Sequence, residues 1–183
     1  MDLLLTKNIV HHLSRVQMKH LSISSNHTSI NFDNVFTGAL PDLVIVGLVS
    51  TANLAGGYQK NPFNFRNFGV NRIRLKRIGT SRPSEGYTPN CATGQYIKAY
   101  STFLQELECD TGDKHVSLTL SEWANGYTLY AFKITDGLIG PGTYGPRSKS
   151  ATGSARLEVS FTAAVNEKHQ VGPALSNVRQ NRV

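Results

Sequence analysis

Six histidines, two cysteines and a thin scatter of carboxylates are the side chains here with the means to do chemistry, and their spacing argues against most of it. His11, His12, His20, His27, His115 and His169 are dispersed, and none is paired with a glutamate at the helical spacing of a metal site. The adjacent His11 and His12 are the best metal candidates, but neighbours on a strand face opposite ways and do not converge on one ion. No G-x-S-x-G elbow prepares a serine nucleophile. The stretch GPRSKSATG has glycine, lysine and serine without the order of a phosphate-binding loop, whose lysine directly follows a glycine at a helix start, so it reads as a flexible loop. Glu106 with Glu108, and Asp110 with Asp113, sit around a predicted helix end where solvated charges are ordinary; an acid–base pair would need a pocket. Cys91 and Cys109 fit neither a paired metal site nor a disulfide framework and read as free thiols. Trp123, near Tyr127, is the one ring suited to stacking on a sugar, against the plainer reading of a core or rim plug. The expectation is a protein with no catalytic residues, no metal, no cofactor and no small-molecule substrate.

Charge offers more. Nineteen basic side chains against 12 acidic ones give a formal charge of +7, which permits contact with nucleic acid without demanding it. In NRIRLKRIGTSR (Asn71 to Arg82), Ile73 and Leu75 alternate with Arg72, Arg74 and Lys76. Period two predicts a half-buried strand with a basic outer face. Its plain reading is a solvated strand; the sharper one is a phosphate-contacting face formed by Arg72, Arg74, Lys76 and Arg82.

The elements that would position these groups are mostly strands. Arg15 to Ile23 carries Val16 and Met18 on one face and Leu21 and Ile23 on the other, predicting a bulge near Lys19 or His20. Ser24 to Thr28 is turn chemistry, followed by a loop holding Phe32 and Phe36. LVIVGLV (Leu43 to Val49) is apolar on both faces and belongs in the middle of a sheet. GGYQKNPFNF (Gly56 to Phe65) then supplies ring area from Tyr58, Phe63 and Phe65, a fixed angle at Pro62, and turn-forming Asn61 and Asn64. So much apolar anchoring in a connection predicts architecture or contact surface. Arg82 to Asn90 reads as a surface loop, Tyr96 to Glu108 as an amphipathic helix, and Val116 to Leu120 as a brief alternation. NGYTLYAFKIT (Asn125 to Thr135) begins on an Asn-Gly turn and continues as a strand. The Gly- and Pro-rich stretch after it, containing Tyr144, is expected to be mobile. Ala155 to Thr162 is the clearest alternating strand, with Leu157, Val159 and Phe161 inward, and the tail VGPALSNVRQNRV has little to bury.

These elements predict an all-β fold, an antiparallel jelly-roll β-sandwich with one short helical insertion. The expected organisation is an N-terminal extension (1–14), the sandwich domain (15–165) and a basic tail (166–183). The start MDLLLTKNIVHH lacks the basic region and long apolar core of a signal peptide, and no apolar run reaches membrane length. An intracellular protein is expected, with no membrane partner and the sequon Asn26-His27-Thr28 unglycosylated.

The series FDNVFTGALPDLVIVGLVS, GGYQKNPFNFRNFGVNRIRL, GQYIKAYSTF, NGYTLYAFKIT and GSARLEVSFT resembles the C-terminal jelly roll of the double jelly-roll major capsid proteins of Maverick/Polinton-type elements and adintoviruses. The resemblance runs from about Arg15 to Thr162, and the combination of K-N-P-F-N-F with N-G-Y-T-L-Y-A-F is its specific part. It implies a structural role in a virion or a transposable element, with trimers tiling a shell and a partner that is a copy of the chain or another jelly-roll capsid domain. The match to one jelly roll of two implies a fragment or domesticated remnant. On this reading the contact residues are Tyr58, Phe63, Phe65 and Phe68 and the loop around Tyr144, with the alternative that the rings plug the domain's own core. A monomeric nucleic-acid-binding sandwich using Arg72, Arg74, Lys76 and Arg82 is the competing reading.

Overall fold

A strand apolar on both faces belongs in the interior of a sheet, and Leu43–Ser50 has partners along each of its edges in the computed structural model. The structure describes residues 11–77, 80–91, 93–110, 116–134, 152–165, 169–171 and 175–182, and only the backbone at 11–15, 80–82, 169–171 and 175–182. In chain order the strands are β1 (His11–Gln17), β2 (Leu21–Ile23), β3 (Ser29–Ala39), β4 (Leu43–Ser50), β5 (Val70–Arg77), β6 (Thr80–Tyr87), β7 (Leu129–Lys133), β8 (Thr152–Phe161), β9 (His169–Val171) and β10 (Leu175–Arg182). Three short helices, α1 (Thr51–Leu54), α2 (Ile97–Glu106) and α3 (Leu120–Ala124), lie in the connections.

The strands form two antiparallel sheets. On one side of β4 runs β7, from Leu43 opposite Lys133 to Gly47 opposite Leu129. On the other side β10 pairs at Val44 and Ile45, and β9 at Leu48 to Ser50. Outside these lie β1, paired with β10, and β2, paired with β9. Thus β1 and β2 share one lane of the sheet, and β9 and β10 share the next. The second sheet has the order β3-β8-β5-β6. Outermost strands pair with outermost and innermost with innermost: β1/β2 with β9/β10, β3 with β8, β4 with β7, β5 with β6. The remaining contacts, β4 with β9/β10 and β5 with β8, fold that one long hairpin over on itself.

The core lies between the sheets. Val44, Val46, Tyr130 and Phe132 from the first sheet meet Ile73, Leu75, Leu157, Val159 and Phe161 from the second, all buried. Tyr87 at the end of β6 packs edge-on against Tyr130 and Phe132, with ring centroids 5.2 and 5.4 Å away. Its hydroxyl donates to the Ala131 carbonyl at 2.6 Å, joining the sheets. The connection between β6 and β7 folds back because Trp123 belongs to this core: it is 0% exposed, lies 5.9 Å from Tyr130, and donates Nε1–H to Leu129 O at 3.0 Å.

The all-β antiparallel sandwich agrees with the sequence, and β8 buries Ala155, Leu157, Val159 and Phe161 in strict alternation. Several local expectations are corrected. Arg82 to Asn90 is not simply a loop, since Thr80–Tyr87 forms β6; as an edge strand it accommodates Pro83, whose missing N–H breaks no ladder on the outer side. Phe32 and Phe36 stand in β3, on either side of an irregularity where Asn34 takes φ 54°. Val116 to Leu120 is not a strand; Thr119 opens α3 with a capping box in which its side chain accepts from Glu122 N and Glu122 accepts from Thr119 N. Among the described residues three helices stand where one was expected, and the helix expected over Tyr96 to Glu108 runs Ile97–Glu106. The chain breaks between β1 and β2 at residues 18–20, where a bulge was expected, and Val16 and Met18 are both exposed. The sheet also reaches into both flanks, as β1 pairs with β10 from His11 opposite Arg182 to Gln17 opposite Ser176. Most of the stretch expected to be mobile, 135–151, lies outside the described residues.

Removing the indole opens a large void and unseats Tyr96, Tyr100 and Tyr130, whose rings surround it. Trp123→Ala is expected to lower the urea unfolding free energy by about 3–5 kcal/mol, measured by chemical denaturation.

Candidate functional site

Two surfaces carry the sequence-derived candidates. The first is the connection from β4 to β5. Ser50 accepts from Asn53 N at 3.2 Å and starts α1. Beyond it, Asn61 Oδ1 accepts from Phe63 N at 2.9 Å, the local turn that asparagine favours. Phe65 is then fixed through its backbone: its N–H donates to Gly126 O at 2.8 Å, its carbonyl accepts from Thr128 N at 3.0 Å, and Arg66 N donates to Leu48 O at 3.1 Å. Its ring lies on Gly47, where a Cβ would meet Phe65 Cδ1 at 2.7 Å and Leu129 Cδ2 at 2.9 Å. Glycine at 47 is thus needed for close approach.

The candidate rings divide into two kinds. Phe65 is buried and Phe68 half-buried against the core, the placement expected on the alternative reading that the rings plug the domain's own core. Tyr58 and Phe63 point outward, 107% and 67% exposed. Tyr127, next to the glycine that Phe65 bonds, is also exposed, and sequence reasoning considered it only as a neighbour of Trp123. With Trp123 enclosed, the sugar-stacking reading of that pair falls. Tyr144 lies outside the described residues.

The second surface is the outer face of β5. Ile73 and Leu75 point inward and Arg72, Arg74 and Lys76 outward, as the alternation predicted. The face is not simply basic, however. Glu158, opposite Arg74 on β8, accepts from Arg74 Nε at 2.5 Å and pairs with Lys76 Nζ at 2.8 Å. Burial pushes its carboxyl up, but hydrogen bonds and charges from Lys76 and Arg74 outweigh that and hold it below its ordinary value of 4.5. Arg156 on the same face pairs with Asp33. Arg72 is exposed, and its Nη2 makes a marginal 3.4 Å contact to the Glu85 carbonyl. The backbone of Arg82 pairs with Leu75, and its side chain is outside the described set. Glu158 was missed because it lies 84 residues from Arg74; the one available signal was the polar position in the alternation of ARLEVSFT.

Other reactive groups are occupied or subdued. Cys91 and Cys109 are free and half-buried. Burial pushes the Cys91 thiol up, partly offset by a hydrogen bond with Asn67, which makes it a poor nucleophile at neutral pH. Burial, with the Glu106 charge adding to it, pushes Tyr87 far up; burial followed by Cys91 and Tyr87 does the same to Tyr130. Both phenols stay neutral and act as hydrogen-bonding core residues. Glu106, expected to be merely solvated, accepts from Lys133 N at 2.7 Å and closes the outer edge of β7, while Glu108 pairs with the Lys133 ammonium. Among the described residues no three His, Cys, Asp or Glu side chains are placed to hold a metal ion, and no helix is long and apolar enough to cross a membrane.

What the fold defines, then, is an all-β antiparallel sandwich with a ring-bearing connection and a charge-paired sheet face. No protein-family model matches the chain. It is similar to uncharacterized protein F54H12.2 of Caenorhabditis elegans, 22% identical over 126 residues, covering 65% of this chain. The chain spans 29% of that protein's length.

Two measurements check these assignments. Gly47→Ala forces the Phe65 ring off the sheet and is expected to destabilise the fold by about 1–3 kcal/mol in denaturant titration. For Glu158, a pKa lowered in the folded state means stabilisation that is complete above the ordinary carboxylate value and lost as pH falls through the folded one. Glu158→Gln is therefore expected to unfold more easily than wild type by about 1–2 kcal/mol at pH 7, with the gap closing in melts run at progressively lower pH below 4.5.

Proposed function

We propose that the chain is a capsid-type jelly roll whose function is structural, exerted by self-association through its loops. The observation that carries this reading is the strand pairing. Counting β1 with β2 and β9 with β10 as one lane each, the order β1/β2-β9/β10-β4-β7 facing β3-β8-β5-β6 supports it, since a long hairpin rolled into a double-sheet jelly roll would give that order. The resemblance of K-N-P-F-N-F and N-G-Y-T-L-Y-A-F to capsid jelly rolls supports the same reading, and those two segments meet where Phe65 bonds Gly126. Exposed Tyr58 and Phe63, on the connection that leads into that junction, are the aromatic type enriched at interface cores. The competing reading, a broad basic strand laid along nucleic acid, is weakened because Glu158 engages two of its cations.

Size-exclusion chromatography with light scattering across a concentration series tests self-association. Growth of the average mass with concentration is expected, and Tyr58→Ser with Phe63→Ser together should return the mass to that of one chain without lowering the melting temperature. A strict monomer at high concentration would sink the reading.

A further inference from the structure

Pairing Arg74 and Lys76 with one carboxylate does not empty the β5 face of binding capacity; it concentrates it. The register aligns Asn31, Glu158 and Arg74 in one row across β3, β8 and β5, and Ser29, Ser160 and Arg72 in the next. Rows two residues apart lie on the same face of a sheet, and these six side chains line a depression of about 260 Å³. That is several times the ~30 Å³ share of one liquid water. The lining combines two short serines with longer arginine, asparagine and glutamate side chains.

The lining is polar throughout and rich in donors: two hydroxyls, an amide and two guanidinium groups. The one carboxylate is already held by Arg74 and, just outside the depression, by Lys76. The lining itself carries two cations, Arg72 and Arg74, against the one anion, with Arg72 the less engaged: among the described residues its bond to the Glu85 carbonyl, at 3.4 Å, is at the limit of hydrogen bonding. A guanidinium fork with free N–H groups beside two hydroxyls matches a tetrahedral oxyanion, whose oxygens accept two parallel bonds from arginine and single bonds from its neighbours.

The geometry points to a phosphate-binding site at Arg72, Ser160, Ser29 and Asn31, bordered by the Arg74–Glu158–Lys76 cluster. The phosphate is either free, as inorganic or condensed phosphate, or one unit of a nucleic-acid backbone. This inference does not rest on the self-association reading, and its readout is separate from the oligomeric state.

The test uses the full chain and two probes: sodium pyrophosphate by titration calorimetry, and a fluorescently labelled 20-nucleotide oligothymidylate by anisotropy at low salt. Arg72→Ala removes the fork, and Ser160→Leu fills the depression while leaving every charge in place. Arg156→Ala removes the same charge from the same face but outside the depression, where Arg156 pairs with Asp33. The expected result is about tenfold weaker binding for both site variants, with Arg156→Ala within about twofold of wild type and all three melting like wild type. Pyrophosphate binding alone identifies free phosphate as the source; oligonucleotide binding that pyrophosphate displaces identifies the polymer. The inference is overturned by no binding of either probe at millimolar concentration, by equal losses in Arg72→Ala and Arg156→Ala, by an unaltered Ser160→Leu, or by oligonucleotide binding that pyrophosphate does not displace.

Discussion

Three aromatic donors sit inside the core of this sandwich, and each must find an acceptor there, because a buried donor without one costs about 1–3 kcal/mol. Tyr87 O–H finds the Ala131 carbonyl, Tyr130 O–H finds Asn67 Oδ1 at 3.0 Å, and the Trp123 indole N–H finds the Leu129 carbonyl. Each bond joins segments that the hydrophobic effect alone would leave free to slide. The first sets the spacing of the two sheets at their β6 and β7 edges. The second ties β7 to the turn before β5, and the third folds the long β6–β7 connection against the end of the strand it precedes. Apolar burial supplies most of the stabilisation, and these directional contacts select one arrangement among the many that bury the same area.

How much of this was legible in the sequence depended on how local the cause was. The alternation of ARLEVSFT and of NRIRLKR is a property of neighbouring residues, so β8 and the inward faces of β5 were readable directly. So was the central place of LVIVGLV, since a strand polar on neither face has no side for water. Thr80–Tyr87 was not readable, because Pro83 and Gly86 are loop residues unless the strand lies at a sheet edge, and only the pairing decides that. The Trp123 helix was hidden for the reverse reason: its capping box, Thr119 with Glu122, was present, but the segment is five residues long and held by tertiary contacts. The tail looked short of apolar residues, yet it pairs through its backbone, for which composition gives little sign.

The candidate sites followed the same division. Which residues of β5 face outward was a matter of period. That the face is partly neutralised was not, since Glu158 arrives from a distant strand. Among the rings, spacing identified an ordered connection but did not separate Phe65, which lies on a glycine, from Phe63, which is exposed; that distinction belongs to the bare backbone at Gly47 on the facing strand.

Phe65 is bonded on both sides of its peptide to the junction of β4 and β7, and the turn that carries Phe63 closes only two residues earlier. A surface presented from such a clamped base has already given up much of its backbone freedom during folding, well before any encounter. On the proposed self-association reading, a partner docking on Phe63 would meet a shape ordered in advance, so the entropy usually surrendered in ordering a loop would be smaller in the binding step, and complex lifetime would depend mainly on the fit of the rings themselves.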